Sequence, residues 1–430
     1  MQTETPQWIR SGTLNEVEFC QCFLKEKNIV WSNGAFFTEA GRLSSEDTIR
    51  KEIFTLISPY VTSRVSAKVD HILATLRLAA QKDFDGHQEV VIHTANGGYH
   101  VGQAQFYPVK TCCLHRLPVN YNANAPKPVL WLKFLKELLE EEDIPTLQEY
   151  LGYCLLPITY GQKMLMIIGQ GGEGKSRIGV VMKALLGDNM NQGSIAKVET
   201  NAFARADLEN VLLMVDDDLK MEALNQTHYL KSIITAEVPM DLERKGIQSY
   251  QGRLNVRFLA FGNGSLQALH DRSYGFFRRQ IILTAKPRAD NRVDDPYLGK
   301  RLVQEAEGIF LWCLEGLHRL IEQDYQFTLS FRASGNLFQS MVNSNNILEF
   351  MASEGYFRYD ETGSISSRRL YNLYQEWCGD NALTPLSARS FWTYLCQHAS
   401  EYRLHYTNTI PIGGGKRARG FQGIRALPGM

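Results

Sequence analysis

Met164-Leu165-Met166-Ile167-Ile168 runs directly into Gly169-Gln170-Gly171-Gly172-Glu173-Gly174-Lys175-Ser176. An unbroken apolar run suits a strand buried on both faces, as in a parallel sheet covered by helices. The residues after it match G-x-x-x-x-G-K-[ST] at every fixed position. Beyond them Ile178, Val181, Met182, Leu185 and Leu186 share one helical face, and Gly187 suits a C-cap. The motif thus sits between a strand and a helix, the context in which it binds phosphate. Glycines let the backbone curl until successive N–H groups converge on phosphate oxygens, and the helix N-terminus adds partial positive charge. The expected cradle is Gly169, Gly171, Gly172, Glu173, Gly174, Lys175 and Ser176. Lys175 would neutralise the outer phosphates of ATP, and Ser176 would offer an oxygen to Mg²⁺.

Hydrolysis also needs a carboxylate for the metal and a base for water. Val211-Leu212-Leu213-Met214-Val215-Asp216-Asp217-Asp218 offers both, with the acids leaving the C-terminal end of an apolar strand, where parallel sheets bind ligands. Asp216 is assigned to Mg²⁺, directly or through water, and Asp217 to the attacking water; Asp217 and Asp218 can exchange roles. A further strand, Phe258-Leu259-Ala260-Phe261, ends in Gly262-Asn263, and Asn263 suits a group that orients water near the γ-phosphate. Arg278-Arg279 is either a surface basic pair or a source of an arginine for a neighbouring subunit's γ-phosphate, a contribution of roughly 10³–10⁵ in rate. Between the acids and Asn263 lies a helix with Leu230, Ile233 and Ile234. After it, Pro239 to Glu243 alternate toward Arg244-Lys245-Gly246. That triplet is either an ordinary exposed turn or a cationic hairpin tip suited to nucleic-acid phosphate.

The 430 residues are a prior for two to four domains. Lys+Arg and Asp+Glu are both 46, so a protein basic throughout is excluded and any nucleic-acid surface must be local. Met1 to Thr5 show no basic segment followed by an apolar one, so no signal peptide is expected. No apolar run approaches the ~20 residues of a membrane helix. Cys20/Cys22 and Cys112/Cys113 lack second pairs at zinc spacing, so reduced thiols are expected and Cys112-Cys113-Leu114-His115 is not assigned a metal. Residues 44–81 read as helical, opened by a capping box at Ser44-Ser45-Glu46-Asp47, with Val69, Ile72, Leu73 and Leu76 on one face. Val90 to His93 and Tyr99 to Val101 flank Asn96-Gly97, a hairpin signal. Asn122 to Pro128 reads as a linker, followed by helices from Trp131 to Glu142 and from Thr146 to Leu155. Strand and helix then alternate to about residue 330, which predicts an α/β layer fold.

The ordered set resembles a superfamily 3 helicase. It comprises Gly169–Ser176, the acidic strand, Lys231 and Thr235, Arg244-Lys245-Gly246, Phe261-Gly262-Asn263, and Asp271 to Arg279. More closely it is similar to the phage/plasmid primase–helicase family, and the stretch with Leu117 to Tyr121, Trp131, Phe134-Leu135 and Leu147 to Tyr153 resembles the segment before that family's phosphate loop. The resemblance spans about residues 90–335. It implies an AAA+ P-loop core over 126–335, assembled as a ring, usually a homohexamer, with ATP between subunits. Lys175, Ser176, Asp216, Asp217 and Asn263 match the positions acting within a subunit. Arg279, with Arg278 as alternative, matches the arginine acting on the neighbour, and Lys245 matches the cation that tracks single-stranded DNA. Residues 1–125 would be a mixed helical and β collar. The implied work is replication of a phage, plasmid or integrative element, on single-stranded or forked DNA in the cytoplasm of a bacterial host cell. No primase or zinc motif is found upstream, so priming would come from a separate primase or replication protein. An origin-binding initiator or loader that does not unwind is the alternative.

In 345–430, Ser367 is expected to cap a helix bearing Leu370, Leu373, Tyr374 and Trp377, and Ser387 a second one with Phe391 and Leu395 inward. Tyr402, Leu404 and Tyr406 alternate as a strand, Pro411 to Gly415 turn, and Phe421 begins a return strand. Helix, helix, strand, wing and strand form a winged-helix pattern. Arg389, Lys416, Arg417 and Arg419 are its expected DNA contacts.

Overall fold

The computed structural model describes residues 6–10, 12–32, 34–43, 45–82, 90–219, 227–263, 274–289, 293–344, 346–381, 383–412 and 416–427. Those up to 336 form one compact unit and those from 337 onward form a second.

The first unit is built on a five-stranded sheet. Its strands are β1 (Met164–Ile168), β2 (Met190–Gln192), β3 (Leu213–Leu219), β4 (Arg257–Gly262) and β5 (Gln280–Thr284). The spatial order is β2-β3-β4-β1-β5 and every pairing is parallel. Met164 to Ile167 have no exposed surface, as a two-faced apolar run requires. The phosphate-loop strand is therefore central, with the asparagine strand on one side and the arginine strand on the other. This is the mixed α/β, P-loop-like arrangement expected from the sequence.

Two helices behind the sheet touch backbone to backbone. A Cβ on Gly152 would stand 2.2 Å from the Cys313 carbonyl oxygen, and one on Gly316 2.4 Å from that of Gln148. Only glycine allows Ile144–Tyr153 and Ala306–Glu322 to approach so closely. Beneath this contact the buried Glu149 carboxylate accepts from Arg319 Nε at 2.6 Å and from the Thr328 N–H at 2.7 Å.

The Asn122–Pro128 stretch, read as a linker, packs against the same layer. Asn122 Nδ2 donates to Glu307 Oε2 at 2.9 Å. Glu305 accepts the N–H groups of Leu130 and Trp131 at 3.0 and 2.9 Å, capping the Val129–Leu138 helix from outside it. Pro and Asn mark a stretch without regular structure, and here that stretch is held by side chains distant in sequence.

Toward the N-terminus, residues 44–81 form two helices, Asp47–Ile57 and Val65–Ala79, because Pro59 cannot extend the first. Ser45 Oγ accepts the Asp47 N–H at 3.0 Å; Ser44 lies outside the described residues. In the hairpin, Thr94 pairs with Gly97, so the turn is Ala95-Asn96, one residue earlier than the sequence suggested. Asn96 is occupied elsewhere: its side chain accepts the Tyr121 N–H at 2.9 Å and donates to the Tyr121 carbonyl at 2.8 Å.

The second unit has a three-stranded antiparallel sheet in the order Phe357–Ser366, Arg417–Ala426, His405–Pro411. Helices Ser367–Asp380 and Ala388–His398 complete it. Phe391 and Leu395 are fully buried, and Phe391 stacks on Tyr374 at 4.6 Å. The first helix is capped by Ser366, whose Oγ accepts the Arg369 N–H, rather than by Ser367; Ser387 caps the second. The Phe357–Ser366 strand was not expected, since its alternation is broken at Asp360 to Ser364, where the register shifts. Gly413 to Gly415 of the expected turn lie outside the described residues. Among the described residues, no helix is long and apolar enough to cross a membrane.

Candidate nucleotide and nucleic-acid sites

The loop after β1 adopts the conformation its glycines permit. Gly171, Gly172 and Gly174 have φ of +108°, +80° and +97°, in the region that disfavours a Cβ. The Gly169 N–H donates to the Gly262 carbonyl at 3.0 Å, tying the loop to the end of β4. Helix Ser176–Leu186 follows, with Ile178, Val181, Met182, Leu185 and Leu186 buried, and Gly187 ends it at φ +57°.

Glu173 folds into the loop it belongs to. Its carboxylate accepts the N–H groups of Gln170 and Gly171, the latter at 2.8 Å, and lies 2.7 Å from Lys175 Nζ. Both side chains are almost wholly buried. Burial opposes the charge, but the Lys175 ammonium and the loop N–H groups outweigh it and hold the carboxyl below the usual range. The loop donors thus converge on an anion of the chain itself, and the same donor set fits a phosphate oxygen.

An open cleft of about 620 Å³ surrounds this loop. Gly171 to Ser176, Asp217, Asp218 and Asn263 line it, so the structure brings together one residue after β4, two from β3 and the loop after β1. Asp216, expected at the metal, is placed differently. It is 5% exposed, and its Oδ2 accepts the Ile195 N–H at 2.8 Å, at the start of the Ile195–Thr200 helix. Burial pushes this carboxyl up, against the backbone donors of Ile195 and Asp218. The acids also lie within β3 rather than beyond it, and an irregularity between Asp216 and Leu219 leaves both Asp217 and Asp218 exposed. Ser176, Asp217 and Asp218 put oxygen ligands of the type Mg²⁺ takes on the cleft.

Arg288 and Asp294 line the same cleft and went unnoticed in the sequence. Both lie in the polar stretch after β5, which carries no motif; only the pairing of β5 with β1 brings it to the loop.

The two arginines before β5 diverge. Arg278 is exposed, and its carbonyl accepts Lys163 Nζ. Arg279 is half-buried and donates back to the Gly275 carbonyl. Asp271 to Ser273, in the stretch that carried the resemblance here, lie outside the described residues. The expected hairpin pairs Met240–Arg244 with Ile247–Gly252, and Lys245-Gly246 forms its tip, with Gly246 at φ +74°. Lys245 is exposed. Arg244 instead pairs with Glu209 at 2.5 Å. In the second unit Arg389, Lys416, Arg417 and Arg419 are exposed, whereas Arg425 pairs with Asp360 at 3.2 Å.

Residues 167–279 match a family described as a family of unknown function (DUF5906). Residues 343–415 match the family described as Poxvirus D5 protein-like. No curated protein matches. Among solved structures, the A form apo structure of the NrS-1 C terminal region is similar at TM-score 0.54 and 10% identity, covering 95% of this chain and 99% of that one. A second, of NrS-1 residues 305–718, gives 0.53 at 12% identity over 95% and 99%. A third, again apo, gives 0.52 at 12% over 94% and 98%. At such identities the likeness is one of fold. The D5-like match is confined to the C-terminal part of the chain, whereas the shared fold extends over nearly all of it.

Proposed function

We propose that this protein is an ATP-driven, Mg²⁺-dependent DNA helicase or translocase serving replication of a phage, plasmid or integrative element. The observation that carries the reading is the convergence of the glycine loop, Lys175, Asp217, Asp218 and Asn263 on one cleft.

The loop N–H groups and Lys175 grip the phosphates. Asp217 and Asp218, exposed on the cleft, are the carboxylates placed to face a metal and to take a proton from water, while Asp216 fixes their strand by capping the neighbouring helix. When bound, Mg²⁺ neutralises charge on the phosphate oxygens. Asn263 orients water from the end of β4. An arginine from the adjoining subunit of a ring, usually a hexamer, completes the site. Arg278 takes this role in preference to Arg279, because it is the exposed member of the pair. Lys245 at the hairpin tip holds single-stranded DNA, and the C-terminal unit acts as a winged helix whose Arg389, Lys416, Arg417 and Arg419 contact DNA phosphates. The two helices and the two strands after them support that reading, with the strand Phe357–Ser366 preceding them.

The test is strand displacement on a forked DNA with Mg·ATP. Wild-type protein separates the strands and Lys175→Ala does not. Binding and hydrolysis without any displacement would instead favour the initiator or loader.

A further inference from the structure

Two cations face the phosphate loop, and each already holds an acid of the same chain. Lys175 Nζ lies 2.7 Å from Glu173 Oε2. Arg288 Nη2 lies 3.2 Å from Asp294 Oδ2, and Arg288 reaches over the loop: a Cβ on Gly172 would stand 3.6 Å from its Nη1. The guanidinium thus lies within ordinary contact distance of the loop at Gly172. Arg288 comes from the β5 flank of the loop, opposite the acids of β3, so a ligand on the loop would have carboxylates on one side and a guanidinium on the other.

We propose that Arg288 is a second phosphate-binding cation of this cleft, and that Glu173 and Asp294 serve as resident counter-anions that nucleotide phosphates displace. The inference rests on the nucleotide reading above. A polyphosphate entering beside two fixed carboxylates would be repelled by both, so the acids must give up their cations for the phosphates to gain them. Each of the two ion pairs is neutral without ligand, and the phosphates gain their cations only through this exchange. A guanidinium fork suits the receiving role, since it bridges two phosphate oxygens at once. The two exchanges differ in cost. The Arg288–Asp294 pair is 40% and 68% exposed and opens readily. The Lys175–Glu173 pair is 8% and 3% exposed and further tied by two loop N–H groups, so Glu173 imposes the larger penalty on binding.

Calorimetric titration of the full chain with Mg·ATP, without turnover as the readout, tests this. Arg288→Ala is expected to weaken binding about tenfold or more and Arg288→Lys to recover part of it, because the charge returns without the fork. Glu173→Gln is expected to tighten binding about tenfold and Asp294→Asn about twofold, since each removes a competitor for a cation. Affinity unchanged in both Arg288 variants would overturn the role of Arg288. Weaker binding in Glu173→Gln and Asp294→Asn, with melting temperatures unchanged, would overturn the displacement. If Lys175→Ala abolishes binding while the other variants match wild type, this inference alone fails; if wild-type protein binds no nucleotide, the functional reading fails with it.

Discussion

Glu209 meets Arg244 at 2.5 Å and accepts the Tyr250 hydroxyl at 2.8 Å, so one nearly buried carboxylate holds both strands of the cationic hairpin. Glu209 lies just before β3, the strand of the acids. Through it, the hairpin is fastened to the chain that leads into the cleft beside the glycine loop.

Removing this fastening should separate fuel use from work. Glu209→Ala leaves a cation and a hydroxyl without their acceptor, a change of about 2–5 kcal/mol for a partly buried charge pair. The hairpin loses its seat, while the cleft residues are untouched. Unwinding per ATP consumed should fall about tenfold, with basal hydrolysis within about threefold of wild type. Paired measurements of phosphate release and strand separation check it, and Lys245→Ala should show the same pattern.

The three neighbouring aspartates should not be equivalent. Asp217→Asn and Asp218→Asn remove carboxylates from the cleft, and the one that serves as base should cost about 10²–10⁴ in turnover. Asp216→Asn keeps an acceptor for the Ile195 N–H and should cost about tenfold or less. Single-turnover hydrolysis by the three variants gives the ranking.

Arg278 and Arg279 should also separate. Arg278→Ala is expected to bind nucleotide normally and to lose DNA-stimulated hydrolysis by about 10³-fold. Mixing it with Asp217→Asn protein should restore part of the activity, since each supplies what the other lacks. Arg279→Ala should lose less, because its guanidinium is turned back toward Gly275.

Acid should destabilise the first unit through two histidines. Burial is the main cause that lowers both His93 and His115 to about 4, with nearby cationic charge adding to it and the Asn189 contact opposing it at His115. Both bind a proton more readily when unfolded, near pH 6.5. Stability from them is complete above about 6.5 and declines as pH falls toward about 4. Melting temperature against pH should drop over that window, and His93→Gln should flatten the slope by about one proton.

What the sequence made legible was local. The strand, loop and helix of residues 164–186 follow from apolar period and glycine placement, and Phe391 and Leu395 from helical spacing. What it concealed depends on long-range pairing. Arg288 lies in a polar stretch with no pattern and reaches the phosphate loop only because β5 pairs with β1. The roles within Asp216-Asp217-Asp218 turn on an irregular register against β4, which no residue spacing reveals. Glu305 and Glu307, which secure the stretch read as a linker, lie about 180 residues away along the chain.

Arg257 begins β4, and its buried guanidinium donates to the carbonyls of Cys154, Ile158 and Asn255 at 2.7 to 3.2 Å. Asn263 follows the opposite end of that strand. One extremity of β4 is therefore riveted while the other borders the cleft, so any shape change that the proposed nucleotide exchange brings would be channelled into the rim, as in a lever whose fulcrum is welded.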